Sequence, residues 1–95
     1  MRKNSILQTE KKCYITGRTD NLHLHHIFGG TGKRKISDEN GFTVWLTAEY
    51  HNMSDKGVHF NRELDLMLKR ECQKKFEETH SRLEFLKLIG RNYLD

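Results

Sequence analysis

With 95 residues, 35% of them hydrophobic and 32% charged, the chain holds enough for one modest core. No apolar run is long enough to cross a membrane as a helix. The net charge of +4 favours an anionic partner, and the even spread of aromatic and aliphatic residues excludes a disordered chain. Cys13 and Cys72 form no Cys-x-x-Cys pair, which excludes a disulfide scaffold and predicts free thiols, with Cys72 on the buried side of a helix. The first residues lack the apolar run of a secretory signal, so a cytoplasmic location is expected.

Residues 1–12 are basic and polar, compatible with a short helix or an arm packed along the domain. Cys13 to Gly17 reads as a short extended piece closing in a turn. Leu22 to Phe28 alternates apolar and polar residues, the pattern of a strand. Gly29 to Gly41 is glycine-rich and charged, and is expected to be a loop. Phe42 to Leu46 reads as a second strand of β-branched and aromatic residues. A short helix from Thr47 carries Glu49, Tyr50 and His51 and breaks before Gly57. Asn61 is a good N-cap for a helix with Leu64, Met67, Leu68, Cys72 and Phe76 at spacings of three and four. Ser81 to Glu84 fits a capping box for a last helix that buries Leu83, Leu86 and Ile89 and stops at Gly90.

The most informative feature is His25-His26 at the end of the first strand. Neighbouring strand residues normally face opposite ways, but beside Gly29 and Gly30 both rings are able to turn toward one pocket. Adjacent histidines suit a division of labour, in which one binds a metal through a neutral ring nitrogen and the other accepts a proton from water. His51 lies 51 − 26 = 25 positions after His26, and His59 lies 59 − 51 = 8 further on, so four histidines from a hairpin and the helix after it are able to converge on one ion. His23 shares strand phase with His25 but is expected to face solvent. His80 sits at a helix junction, where capping explains it. Phe42 and Trp45 are expected in the core. The mixed charges from Arg62 to Glu78 predict an exposed helix face with pairs four residues apart.

Leu24-His25-His26-Ile27, a glycine-rich basic loop, then Val44-Trp45-Leu46 followed by His51-Asn52, together resemble the signature of the HNH endonucleases. The match is especially to small HNH-type proteins of bacteriophages. The resemblance implies an α+β fold in which residues 1–95 form a single nuclease domain. Its ββα-metal core, a β-hairpin and short helix, covers about 13–61, and two packing helices form the extension 62–95. It implies a hydrolase cutting phosphodiester bonds in DNA, in the cytoplasm or in a host cell's cytoplasm, with a homodimer possible. His26 maps to the general base, and His25 and His51 to ligands of one divalent ion. His59 is the candidate for the last ligand, with Asn52 and Asn61 as orienting or alternative ligands. Magnesium, manganese, nickel or zinc are compatible, histidine-rich ligation favouring zinc and the transition metals. Lys33, Arg34 and Lys35 are the candidate contacts to DNA phosphates.

The chain departs from the family at two places. Cys13, Thr16, Thr47 and Tyr50 stand where many members carry the four cysteines of a structural zinc, so that site is excluded. Phe42 stands about where the motif asparagine is expected, with Asn40 and Asp38 before it. These departures keep open an alternative from another class, a degenerate HNH fold that binds DNA or a host protein, for example a host defence nuclease, without cutting. The loop Gly30 to Lys35 is no phosphate loop, because Ile27 stands where that motif needs its first glycine.

Overall fold

The computed structural model describes residues 3–53 and 57–94, with the side chains of residues 52 and 53 outside that description. It shows a small α+β fold whose only sheet, among the described residues, is a two-stranded antiparallel hairpin. The strands are β1 (Leu22–His26) and β2 (Thr43–Thr47), paired from Leu22 opposite Thr47 to His26 opposite Thr43. Between them lies helix α1 (Lys33–Asn40). After β2 come a π-helical turn (Glu49–Met53) and helices α2 (Arg62–Phe76) and α3 (Arg82–Ile89). No described helix is long and apolar enough to cross a membrane.

The N-terminal segment packs as an arm along the C-terminal end of α1 and the free edge of β2. Lys3 N–H donates to Asp38 O, Ile6 N–H to Gly41 O, and Tyr14 N–H to Trp45 O. Gln8 completes the edge by accepting from Trp45 N–H at 2.8 Å. These bonds satisfy backbone groups that an open sheet edge would leave unpaired. Trp45 is only half-buried, with the Lys11 ammonium 4.6 Å from its ring centre, whereas Phe42 lies wholly in the core. Cys13 to Gly17 forms a turn in place of the extended piece, closed by Gly17 N–H to Cys13 O and Cys13 N–H to Arg18 O.

Helix α1 replaces most of the expected loop. Its sequence, Lys-Arg-Lys-Ile-Ser-Asp-Glu-Asn, has no apolar stripe to signal a helix. Tertiary contacts hold it instead. Ser37 is fully buried, and its hydroxyl donates to Phe28 O at 2.8 Å while accepting from Phe28 N–H at 3.2 Å. The Lys33 ammonium donates to Ile89 O at the end of α3. Gly41 ends the helix at φ +73, and a Cβ there would collide with the Asn4 carbonyl, so this position requires glycine on two grounds.

The two C-terminal helices begin as their caps predict. Asn61 Oδ1 accepts from Leu64 N–H at 3.1 Å, and Ser81 Oγ from Glu84 N–H at 3.1 Å. Gly90, at φ +83, closes α3 through its N–H to Leu86 O. Leu68, Cys72 and Phe76 from α2 and Phe85 and Ile89 from α3 are buried, as the spacing predicts. Leu83, expected inside, is 63% exposed; the short α3 turns Phe85 inward instead. Edge-to-face pairs join Phe28 to Phe42 and to Phe85, each at 5.6 Å, and Phe42 to Phe76 at 5.4 Å. Each such pair adds about 0.5–1.5 kcal/mol beyond the area it buries. This aromatic layer anchors the chain immediately after His26, and so fixes the end of β1 that bears the histidines.

Candidate metal centre

The alternation of β1 places His23 and His25 on one face and His26 in the opposite phase. His25, opposite Val44, is only 4% exposed. His51 comes from the π-helical turn, whose wider winding follows directly on β2. The segment bearing His59 is tied back to that turn by Val58 N–H to Tyr50 O at 2.7 Å and His59 N–H to His51 O at 3.4 Å.

The three rings converge. One ring nitrogen from each of His25, His51 and His59 lies within 4.8 Å of the others. The ring centres of His25 stand 5.4 Å from both partners, and Nε2 of His51 is 3.2 Å from Nε2 of His59. Nitrogens bound about 2.0–2.1 Å from one tetrahedral zinc sit roughly 3.3 Å apart, so the closest pair already has ligand spacing. His25 Nε2 is buried and has no hydrogen-bond partner among the described residues. Such an orphan is costly in water-free protein unless something occupies its lone pair. Burial first, then the neighbouring His51 and His59, pushes the His25 pKa down to about 3. Burial, then His59 and His23, lowers His51 to about 4. Both rings are therefore neutral near pH 7, the form that binds metal. The donor set is close enough, neutral and partly unsatisfied, and it fits a divalent ion.

His26 is held differently. Its Nε2 lies 2.7 Å from Asp38 Oδ1, the carboxylate being supplied by α1. His25 and His26 nevertheless border one cleft of about 280 Å³, together with Leu24, Gly29, Gly30, Arg34, His51 and His59.

The remaining expected site residues divide. Of the three basic residues, Arg34 borders the cleft and Lys35 is exposed, whereas Lys33 is engaged in capping α3. Asn61 spends its side-chain oxygen on capping α2, where it accepts from Leu64 N–H. The Asn52 side chain lies outside the described residues. His80 stacks on Phe76 at 4.2 Å, its Nδ1 2.8 Å from the Thr79 hydroxyl; it packs on α2 in place of the expected capping, since Glu77 and Ser81 cap the adjoining helices.

Two residues enter that the sequence reading set aside. His23 is exposed but not set apart, because its Nδ1 lies 3.1 Å from His51 Nδ1. Asp38, noted only as an acid near the displaced asparagine, is the partner of His26. Its position on a helix mistaken for a loop hid that role. No family model, curated protein or solved structure matches the chain.

Proposed function

We propose that the chain is a metal-dependent endonuclease of the HNH type, hydrolysing phosphodiester bonds in DNA. The observation that carries this reading is the pairing, across one cleft, of a three-histidine cluster with a separate histidine–carboxylate dyad. A helical turn following directly on the hairpin is compatible with the order expected of a ββα-metal core, which supports the reading. A further detail supports the likeness: Cys13 Sγ accepts from Thr47 N–H at 3.4 Å and lies 3.9 Å from its hydroxyl. Two of the four positions that would hold the family's structural zinc thus meet in space, with packing in place of the metal.

In the mechanism, neutral His26 carries its proton on Nε2, donated to the Asp38 carboxylate, which leaves Nδ1 free as a base. Nδ1 takes a proton from water as the water oxygen attacks phosphorus, and the bond to the leaving oxygen breaks. Asp38 stabilises the imidazolium that forms and holds the ring in orientation, the logic of any histidine–carboxylate pair. Arg34, with its charge at the cleft, positions the phosphate. His25, His51 and His59 would hold a divalent ion, which would supply positive charge to stabilise the scissile phosphate and the leaving oxygen. Three imidazoles favour zinc or nickel over magnesium, and open positions at the ion would also admit magnesium or manganese.

The test is cleavage of supercoiled plasmid by purified protein with magnesium, manganese, nickel or zinc. Metal-dependent nicking or linearisation is expected, and His26→Ala should slow it by about 10²–10⁴-fold, the usual contribution of a general base. A folded protein that cuts with none of these metals would refute the nuclease and favour binding of DNA or a partner protein without cutting.

A further inference from the structure

A neutral imidazole carries one ring proton, and the nitrogen without it is the one able to bind an ion. His51 uses both nitrogens. Its Nε2 faces His59 Nε2 at 3.2 Å, inside the cluster, and its Nδ1 faces His23 Nδ1 at 3.1 Å, outside it. The His23 and His51 rings meet edge to face at 85°, with centres 5.2 Å apart.

We propose that His23 is the positioning residue of the metal centre, accepting a hydrogen bond from His51 Nδ1–H and so directing the His51 Nε2 lone pair at the ion. This inference rests on the metal-site reading above. It assigns His23 to the ligand's support and not to the ligand set. The two nitrogens of an imidazole point away from each other, so an ion at His51 Nε2 lies on the far side of the ring from His23. The cluster of convergent nitrogens accordingly comprises His25, His51 and His59 without His23.

The placement follows from the strand. His23 stands two residues before His25, on the same face of β1, one step nearer the hairpin's open end. Their cross-strand neighbours, Leu46 and Val44, are apolar and offer no competing partner. For His23 Nδ1 to accept, its own proton sits on Nε2, on an exposed ring where water satisfies it. The result is a metal ligand whose second nitrogen is held by a neighbouring acceptor, an arrangement that fixes the tautomer and raises ligand basicity.

The experiment titrates chelator-stripped protein with zinc alone and follows it by calorimetry, comparing wild type with His23→Ala, His23→Gln and His25→Ala. Wild type should bind one zinc per chain and His25→Ala none. His23→Ala should bind about 10–100-fold more weakly, whereas His23→Gln, which keeps an acceptor, should stay within about threefold. Nitrogen-15 spectra of zinc-loaded wild type should show His51 protonated at Nδ1, a signature that mere packing would not produce. Equal affinity for His23→Ala and wild type would overturn the role of His23 alone, as would equal losses in the alanine and glutamine variants or a His51 Nδ1 without its proton. Wild type that binds no zinc would instead overturn the metal-site reading, and this inference with it.

Discussion

Two buried polar side chains, one in the helical half of the molecule and one on its histidine face, are treated in opposite ways. Gln73, fully buried on α2, uses every group it has. Its amide donates to Glu77 Oε2 at 2.7 Å and to Asn92 Oδ1 at 2.8 Å, and its oxygen accepts from Tyr93 N–H at 2.7 Å. It fastens the C-terminal segment onto α2. His25 is nearly as buried, yet its Nε2 has no hydrogen-bond partner among the described residues, and the rings of His51 and His59 stand edge to face with its own at 5.4 Å. The first region is complete as polypeptide. The second holds a buried nitrogen that the described polypeptide does not satisfy, beside two histidines close enough to share an ion with it.

The largest expected effect comes from breaking the complete region. Gln73→Ala strands the Tyr93 N–H and leaves a cavity, and should cost about 3 kcal/mol in urea unfolding. Zinc affinity should stay unchanged; a parallel loss would show that the two regions are not independent. Zinc sharpens the other half of the comparison. At a hundredfold excess over Kd it should stabilise wild type by about 2.7 kcal/mol and leave His25→Leu unaffected. Without metal, His25→Leu should be at least as stable as wild type, since it removes the orphaned nitrogen; a marked loss would mean that His25 is held by a bond not seen here.

The smallest effect near neutrality is that of pH. His25 and His51 titrate at about 3 and about 4 in the fold, below the ordinary histidine value near 6.5. The unfolded chain therefore binds more protons as pH falls, and metal-free stability should decline below about pH 6.5, levelling only near the folded values. The decline between about pH 7 and about pH 6 is modest, because only the start of the unfolded-state titration is sampled. His25→Leu should flatten this profile in thermal melts; an unchanged slope would assign it to other groups.

Much of this was legible because it is local in the chain. The strand alternation at Leu22 to His26 and the caps at Asn61, Ser81 and Gly90 act over a few residues and announced themselves. Helix α1 did not, because its stability comes from Ser37 on the Phe28 backbone, Lys33 on α3 and the approach of Asn4 to Gly41. A charged octapeptide with glycine at each end carries no sign of those partners. His25, His51 and His59 were legible as candidate ligands from residue type and order. Asp38 and His23 were not, since an acid on an unrecognised helix and a histidine on an exposed strand position have many bland uses.

The sequence by itself determined the two strands, the two C-terminal helices and a supply of histidines near the hairpin. Only the tertiary structure decided which nitrogen meets which. His26 finds Asp38 12 residues away and His51 finds His23 28 residues away, contacts of about 3 Å that depend on how separate segments pack. Periodicity and capping arise from bonds between near neighbours, so they can be read along the chain. The tautomer, burial and partner of a ring nitrogen are set by the packed neighbours around it, and these exist only once the fold has formed.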